Sequence, residues 1–218
     1  MKKTILILCL ILLLPELASA HAFGYDLNGL SNAETGLVYF KIGFQHILPY
    51  GFDHILFVLG LFFLNPNIKS VFTQTTIFTL AHSLTLGLSM AGVIHPNSSV
   101  IEPIIALSIL FVAVENIFTT KLKWWRLIIV FAFGLIHGCG FASALTDVGL
   151  PEGMYMQSLV MFNLGVEAGQ IAVILLAWIF VVKWFKEKTW YHERIVIPVS
   201  GLIGCIALYW TIERTFFI

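Results

Sequence analysis

Polar and charged residues come in short clusters along this chain. Between them run apolar stretches near 45–65, 70–94, 101–118, 124–148, 155–182 and 194–216. Each stretch is bounded by charged residues, Pro, Asn or Gly, the punctuation of helix ends and turns. A helix that crosses a bilayer needs roughly 20 mostly apolar residues. The pattern therefore predicts an all-α integral membrane protein, a six-helix transmembrane bundle. The first stretch is the least regular, because Gly51, Asp53 and His54 interrupt it and Pro49 starts or bends it. A polar stretch precedes it, up to about Lys41, and no repeat of fixed period is visible.

Ahead of these segments, Met1 to Ala20 reads as a cleaved signal peptide. Lys2 and Lys3 form a basic start, Thr4 to Leu14 an apolar core, and Ala18-Ser19-Ala20 a small-residue cleavage site. A retained anchor is the alternative. The expected division is residues 1–20 as signal and 21–218 as a single six-span domain, with His21 at the mature N-terminus.

Composition agrees with lipid as the solvent. Hydrophobic residues make up 59% of the 218 positions and charged residues 11%, less than half the share of a typical soluble domain. Twelve basic residues balance twelve acidic ones, which leaves no basic face for nucleic acid. Cys9 would leave with the signal, and Cys139 and Cys205 lie in apolar segments, so no disulfide framework is indicated. Charge placement sets orientation. With the mature N-terminus outside, eight basic residues (Lys69, Lys121, Lys123, Arg126, Lys183, Lys186, Lys188 and Arg194) fall in inner loops, and only Lys41 and Arg214 fall outside. The expectation is a bacterial inner-membrane protein with both mature termini periplasmic. Trp124, Trp125, Trp184 and Trp190 would mark the inner interface.

Ionisable side chains inside such spans are costly, about 2.5–3.5 kcal/mol each at mid-bilayer on translocon scales, and mark function by default. Here they are His46, Asp53, His54, His82, Glu102, Glu115, His137 and Glu167. His46 and Asp53 are seven residues apart, on one face if the helix is continuous and closer if it breaks. The adjacent Asp53-His54 supplies an oxygen and a nitrogen ligand, or a carboxylate that orients a ligating imidazole. His82 stands beside Ser83, and His137 stands among Gly134, Gly138 and Gly140, small residues that let helices approach. Asn163, Glu167 and Gln170 share one stripe, and Ser108 with Glu115 and Asn116 forms a weaker one. Such stripes either line a path or make interhelical hydrogen bonds. Most of these groups lie in the outer half or near the middle, Glu102 at the outer rim, and Glu115 and Asn116 towards the inner side. Imidazole and carboxylate donors with little thiolate suit a borderline divalent ion such as nickel, cobalt or zinc. Cys139 is either a soft ligand or a small buried residue, His21 a terminal chelator or a bystander, and His95 and His192 read as loop residues.

These segments together resemble the HupE/UreJ family of bacterial membrane proteins, closest to its second branch. The matching stretches are Gly43-Phe-Gln-His46 with Gly51-Phe-Asp53-His54-Ile-Leu-Phe, Phe78-Thr-Leu-Ala-His82-Ser83-Leu-Thr85-Leu, Glu102-Pro-Ile-Ile-Ala-Leu-Ser108 through Glu115-Asn116, Phe133-Gly134-Leu-Ile-His137-Gly138, and Phe162-Asn163-Leu-Gly-Val-Glu167-Ala-Gly-Gln170. The resemblance covers nearly all of the mature chain. It implies a cleaved signal, six membrane helices and a role in nickel or cobalt uptake linked to hydrogenase or urease supply, with metalloenzyme-maturation proteins as partners. The family's Gly-x-Asp-His ion motif maps onto Gly51, Asp53 and His54. Two positions depart from the pattern: His46 is followed by Pro only three residues on, at Pro49, and Cys139 stands where an aromatic residue is more usual.

The expected function is a nickel or cobalt permease with metal-site residues His46, Asp53, His54, His82, His137 and Glu167. Ser83, Glu102, Ser108, Glu115, Asn116, Asn163 and Gln170 would line the path or support the ligands. No pair of broken helices marks a midplane site in two related halves, and no nucleotide-binding motif is present, so facilitated passage fits better than a coupled pump. Two other classes use the same residues. One is an intramembrane hydrolase in which His46, Asp53, His82 and His137 hold zinc and a water, with Ser83 or Glu167 handling protons. The other is a non-transporting accessory protein whose polar groups pair with each other.

Overall fold

The computed structural model describes residue 27 and residues 29–120, 122–141, 145 and 153–217. The signal segment and His21 lie outside the described residues. Every regular element among those described is helical: α1 Asn32–Ile47, α2 Phe52–Leu64, α3 Ile68–Met90, α4 Ser98–Phe118, α5 Arg126–Gly140, α6 Tyr155–Phe185 and α7 His192–Phe216. α6 contains a π-helical turn at Trp178–Val182, and α7 begins with another at His192–Val196, so His192 starts a helix rather than lying in a loop.

The helix starts follow from local chemistry. Ser31 caps α1 through a reciprocal capping box with Glu34, whose carboxylate accepts from the Ser31 backbone N–H at 2.9 Å. Asn67 accepts from Ser70 N–H at the start of α3, and Asn97 from Ser99 N–H at the start of α4.

The structure corrects the expected first span. Residues 32–41 are not a polar lead-in but part of α1, whose buried face carries Tyr39, Ile42, Gly43 and Ile47. Polar residues on its other positions diluted the signal when hydropathy was read as a continuous run. α1 and α2 are bent by 67° at a short break that holds the cis Leu48–Pro49 bond. The bend falls where Pro49 and Gly51 interrupt the first apolar stretch. α2, with 13 residues, is about 20 Å long and falls short of a hydrocarbon core of about 30 Å. Buried residues cover almost its whole circumference, from His54 through Leu56, Phe57, Val58 and Gly60 to Leu64, so it is the central element.

Three helices are long and apolar enough to cross a membrane, α4, α6 and α7, and a fourth crossing arises if α1 and α2 count as one bent span. α5 is apolar but has only 15 residues, where a longer stretch, 124–148, was expected. α3 is 23 residues long, but Gln74, Thr75, Thr76, Thr79, His82, Ser83 and Thr85 lower its hydropathy. Of these, Gln74, Thr76, Thr79 and Thr85 bond to neighbouring helices.

The helices pair closely. α1 runs parallel to α6: Gly36 lies against Gln157, Gly43 against the backbone of Phe162, and Gly165 against the backbone of Phe40. α3 runs parallel to α5 in the same way, with Gly134 against Phe78 and Gly138 against the His82 carbonyl. α4 and α7 are antiparallel, with Asn116 near Ser200 and Glu102 near Arg214. α2 fills the space between α4, α6 and α3.

Candidate metal centre

The break between α1 and α2 brings His46 and His54 together, ring centroids 4.6 Å apart. His82 of α3 stands 6.0 Å from His46 and 5.8 Å from His54, and His137 of α5 stands 5.1 Å from His54. One ligand nitrogen from each of His46, His54 and His82 falls within a span of 4.8 Å. These nitrogens come from three helices. The glycines at 134 and 138 set α5 close enough for the His137 ring to stand beside His54, outside the 4.8 Å span.

Aromatic rings line the group. Phe78 lies 5.0 Å from the His137 ring and 5.8 Å from His54, Phe57 lies 5.4 Å from His137, and Phe141 covers His46 at 3.8 Å. His54, His82 and His137 are buried, at 6%, 0% and 1% exposure. Buried polar atoms are ordinarily hydrogen-bonded. Here His46 Nε2, His54 Nε2, both nitrogens of His82 and His137 Nδ1 have no hydrogen-bond partner. A set of unpartnered imidazole nitrogens in an apolar chamber fits a borderline divalent transition ion, which imidazole binds well.

The remaining predicted residues fall around this group. Asp53, expected as an oxygen ligand, makes two bonds of 3.1 Å to the guanidinium of Arg214. Glu167, also expected as a ligand, accepts from Thr76 at 2.8 Å. Gln170 accepts from Thr79 at 3.1 Å, and Asn163 adjoins His82 while its amide donates to the Leu159 carbonyl. The α6 stripe is thus docked on the polar face of α3. Ser83 donates to its own helix at Thr79 O. Asn116 donates to Gly60 O at 2.7 Å and ties α4 to α2. Ser108 contacts His137 Nε2 at 2.9 Å. Cys139 is a half-buried free thiol, not among the three residues that share the 4.8 Å span.

Two arginines were missed as site residues. Arg126, counted as an inner-loop charge, is 1% exposed; it donates to Glu115 at 2.6 Å and to Gln74 at 3.1 Å. Arg214, counted as an outer charge, holds Asp53 and the carbonyl of Glu102. The usable signal was arithmetic: an acidic residue inside a span requires a cation, and each arginine stands at the end of an apolar helix. Along α4 the contacts form three layers: Arg214 at Glu102, His137 at Ser108, and Arg126 at Glu115. Successive layers are about 9 and about 10 Å apart by helical rise. The imidazole group therefore lies between two ion pairs.

No curated protein and no solved structure gives a match to this chain. The family described as HupE / UreJ protein matches residues 26–214, nearly the whole length, and spans the bent pair, the four histidines and both ion pairs. On that match, the chain belongs to the HupE/UreJ family of membrane proteins.

Proposed function

We propose that this protein is a permease for a divalent transition metal ion, nickel or cobalt, and that His46, His54, His82 and His137 take the ion as it crosses. The observation that carries the reading is the 4.8 Å span shared by one ligand nitrogen from each of His46, His54 and His82, three rings that each carry a buried nitrogen with no hydrogen-bond partner. Family membership adds the metal class. In this reading the chain crosses the bacterial inner membrane six times, with α1 and α2 as one bent crossing and α3 to α7 as the others. The signal peptide is removed and both mature termini face the periplasm.

The ion is the substrate. It enters on the Asp53–Arg214 side, where that ion pair stands at the mouth. The imidazoles replace part of its hydration shell without adding charge, so the ion is held and can leave. Glu167 and Gln170 hold α3 and α6 in register, Asn163 and Ser83 stand beside His82, and Glu102 and Asn116 anchor α4. The Glu115–Arg126 pair closes the opposite end until the ion passes. Partners are the bilayer and proteins of metalloenzyme maturation.

His54→Ala tests this. Cells expressing the variant at wild-type level are expected to lose nickel or cobalt accumulation, and unchanged accumulation would remove the site.

A further inference from the structure

We propose that Ser108 is the positioning residue that fixes the tautomer of His137, leaving Nδ1 as the lone pair offered to the ion. The inference rests on the metal reading for its purpose, but its geometry stands without it.

The argument is one of proton accounting. Ser108 has a single hydroxyl proton and two close neighbours: the Ile105 carbonyl at 2.7 Å and His137 Nε2 at 2.9 Å. A carbonyl oxygen only accepts, so the short contact to Ile105 requires the serine proton. Two oxygens at 2.7 Å with no proton between them would repel. The Ser108 oxygen is then an acceptor towards the ring, and Nε2 must carry the hydrogen that it accepts. A neutral imidazole has one N–H, so Nδ1 is left with its lone pair. That same Nδ1 is buried and has no hydrogen-bond partner, on a ring 5.1 Å from His54.

The helix makes the assignment robust. Ile105 lies one turn before Ser108 on α4, and a serine hydroxyl within a helix returns to a carbonyl three or four positions earlier. Ser108 is 1% exposed, so solvent does not compete. Metal-ligating histidines characteristically spend their other nitrogen on such a partner, which orients the ring and raises its basicity. Of the four histidines, His137 has a side-chain hydroxyl at hydrogen-bond distance from one nitrogen while the other is unpartnered.

The test uses the full-length protein in lipid nanodiscs with ¹⁵N-labelled histidine, His137 being assigned by loss of its signals in His137→Gln. Metal-free wild type is expected to show His137 protonated at Nε2 and unprotonated at Nδ1. Ser108→Ala is expected to mix the two tautomers and weaken Ni²⁺ binding by about ten- to a hundredfold. Ser108→Thr, which keeps the hydroxyl, is expected to retain the tautomer and most of the affinity. A wild-type ring protonated at Nδ1 overturns the proposal, and so does Ser108→Ala binding Ni²⁺ within twofold of wild type. Should Ser108→Ala fail to fold, the wild-type spectrum decides. Wild type that binds none of Ni²⁺, Co²⁺ or Zn²⁺ sinks the metal reading instead, and the metal-free spectrum still decides the role of Ser108.

Discussion

The guanidinium of Arg214 grips the carboxylate of Asp53 through two bonds of 3.1 Å, across 161 positions of sequence. Asp53 is the neighbour of His54 in the chain, but at the N-terminus of α2 the two side chains part: the imidazole joins the other histidines and the carboxylate meets α7. Both groups of the pair are partly exposed, 16% for Arg214 and 25% for Asp53. Removing Asp53 alone leaves an uncompensated cation at the entrance. Asp53→Ala is therefore expected to reduce metal uptake severalfold, and the double variant Asp53→Ala/Arg214→Ala to recover more than half of it. His54→Ala is expected to gain nothing from the change at Arg214. Uptake of radiolabelled nickel by the four variants checks this; equal loss in the single and double variants would return Asp53 to the ion itself.

The second ion pair differs in depth. Arg126 and Glu115 meet at 2.6 Å with side-chain exposures of 1% and 7%. A buried charge left without its partner costs about 3–5 kcal/mol. Glu115→Ala is expected to lower the melting temperature in detergent far more than Asp53→Ala does, while Glu115→Ala/Arg126→Met regains much of the loss. A single variant as stable as wild type would contradict the packing described.

The glycines on α5 set the distance between imidazoles. A methyl group on Gly138 would strike the carbonyl of His82 and the hydroxyl of Thr85, and one on Gly134 would strike the backbone of Phe78. Both neighbours are helix backbone or its immediate attachments, so α3 and α5 would have to separate. Gly138→Ala is expected to cost about 1–3 kcal/mol of stability and to weaken metal binding in the folded fraction. Gly201→Ala, where nothing lies within 4 Å, serves as the control and is expected to change neither.

Metal affinity depends on pH in a fixed direction. A protonated imidazole has no lone pair at its ligating nitrogen, so protons compete with the ion. Binding is expected to hold at neutral and alkaline pH and to weaken once the solution is acid enough to protonate the site imidazoles. Titration calorimetry at several pH values with Ni²⁺ reads this directly. Affinity that rises on acidification would rule out imidazole ligation.

Much of this was legible in the sequence because membrane burial makes ionisable residues conspicuous. His46, His54, His82 and His137 stood out as isolated polar groups in apolar runs, and the structure brings all four together. The start of α1 was missed because Asn32, Glu34, Thr35 and Lys41 interrupt its apolar residues, and the bend that follows joins elements separated by residues 48–51. Asp53 was read with its sequence neighbour because adjacency was the only distance available. Arg214, which claims it, arrives from the far end of the chain. Arg126 was read as a loop charge because it stands beside Lys121, Lys123 and two tryptophans; only the fold shows it turned inward to Glu115 and Gln74.

The most direct test of the central claim is uptake into proteoliposomes holding the purified wild-type protein or His82→Ala, with Ni²⁺ outside and Co²⁺, Zn²⁺ and Mg²⁺ as competitors. His82 is 0% exposed and belongs to the three-imidazole span, so its loss removes a ligand without touching the surface of the protein. The account predicts saturable Ni²⁺ entry, inhibited by Co²⁺ and not by Mg²⁺, and abolished in correctly folded His82→Ala. Ni²⁺ entry no faster than into empty liposomes, or undiminished entry through His82→Ala, would contradict it.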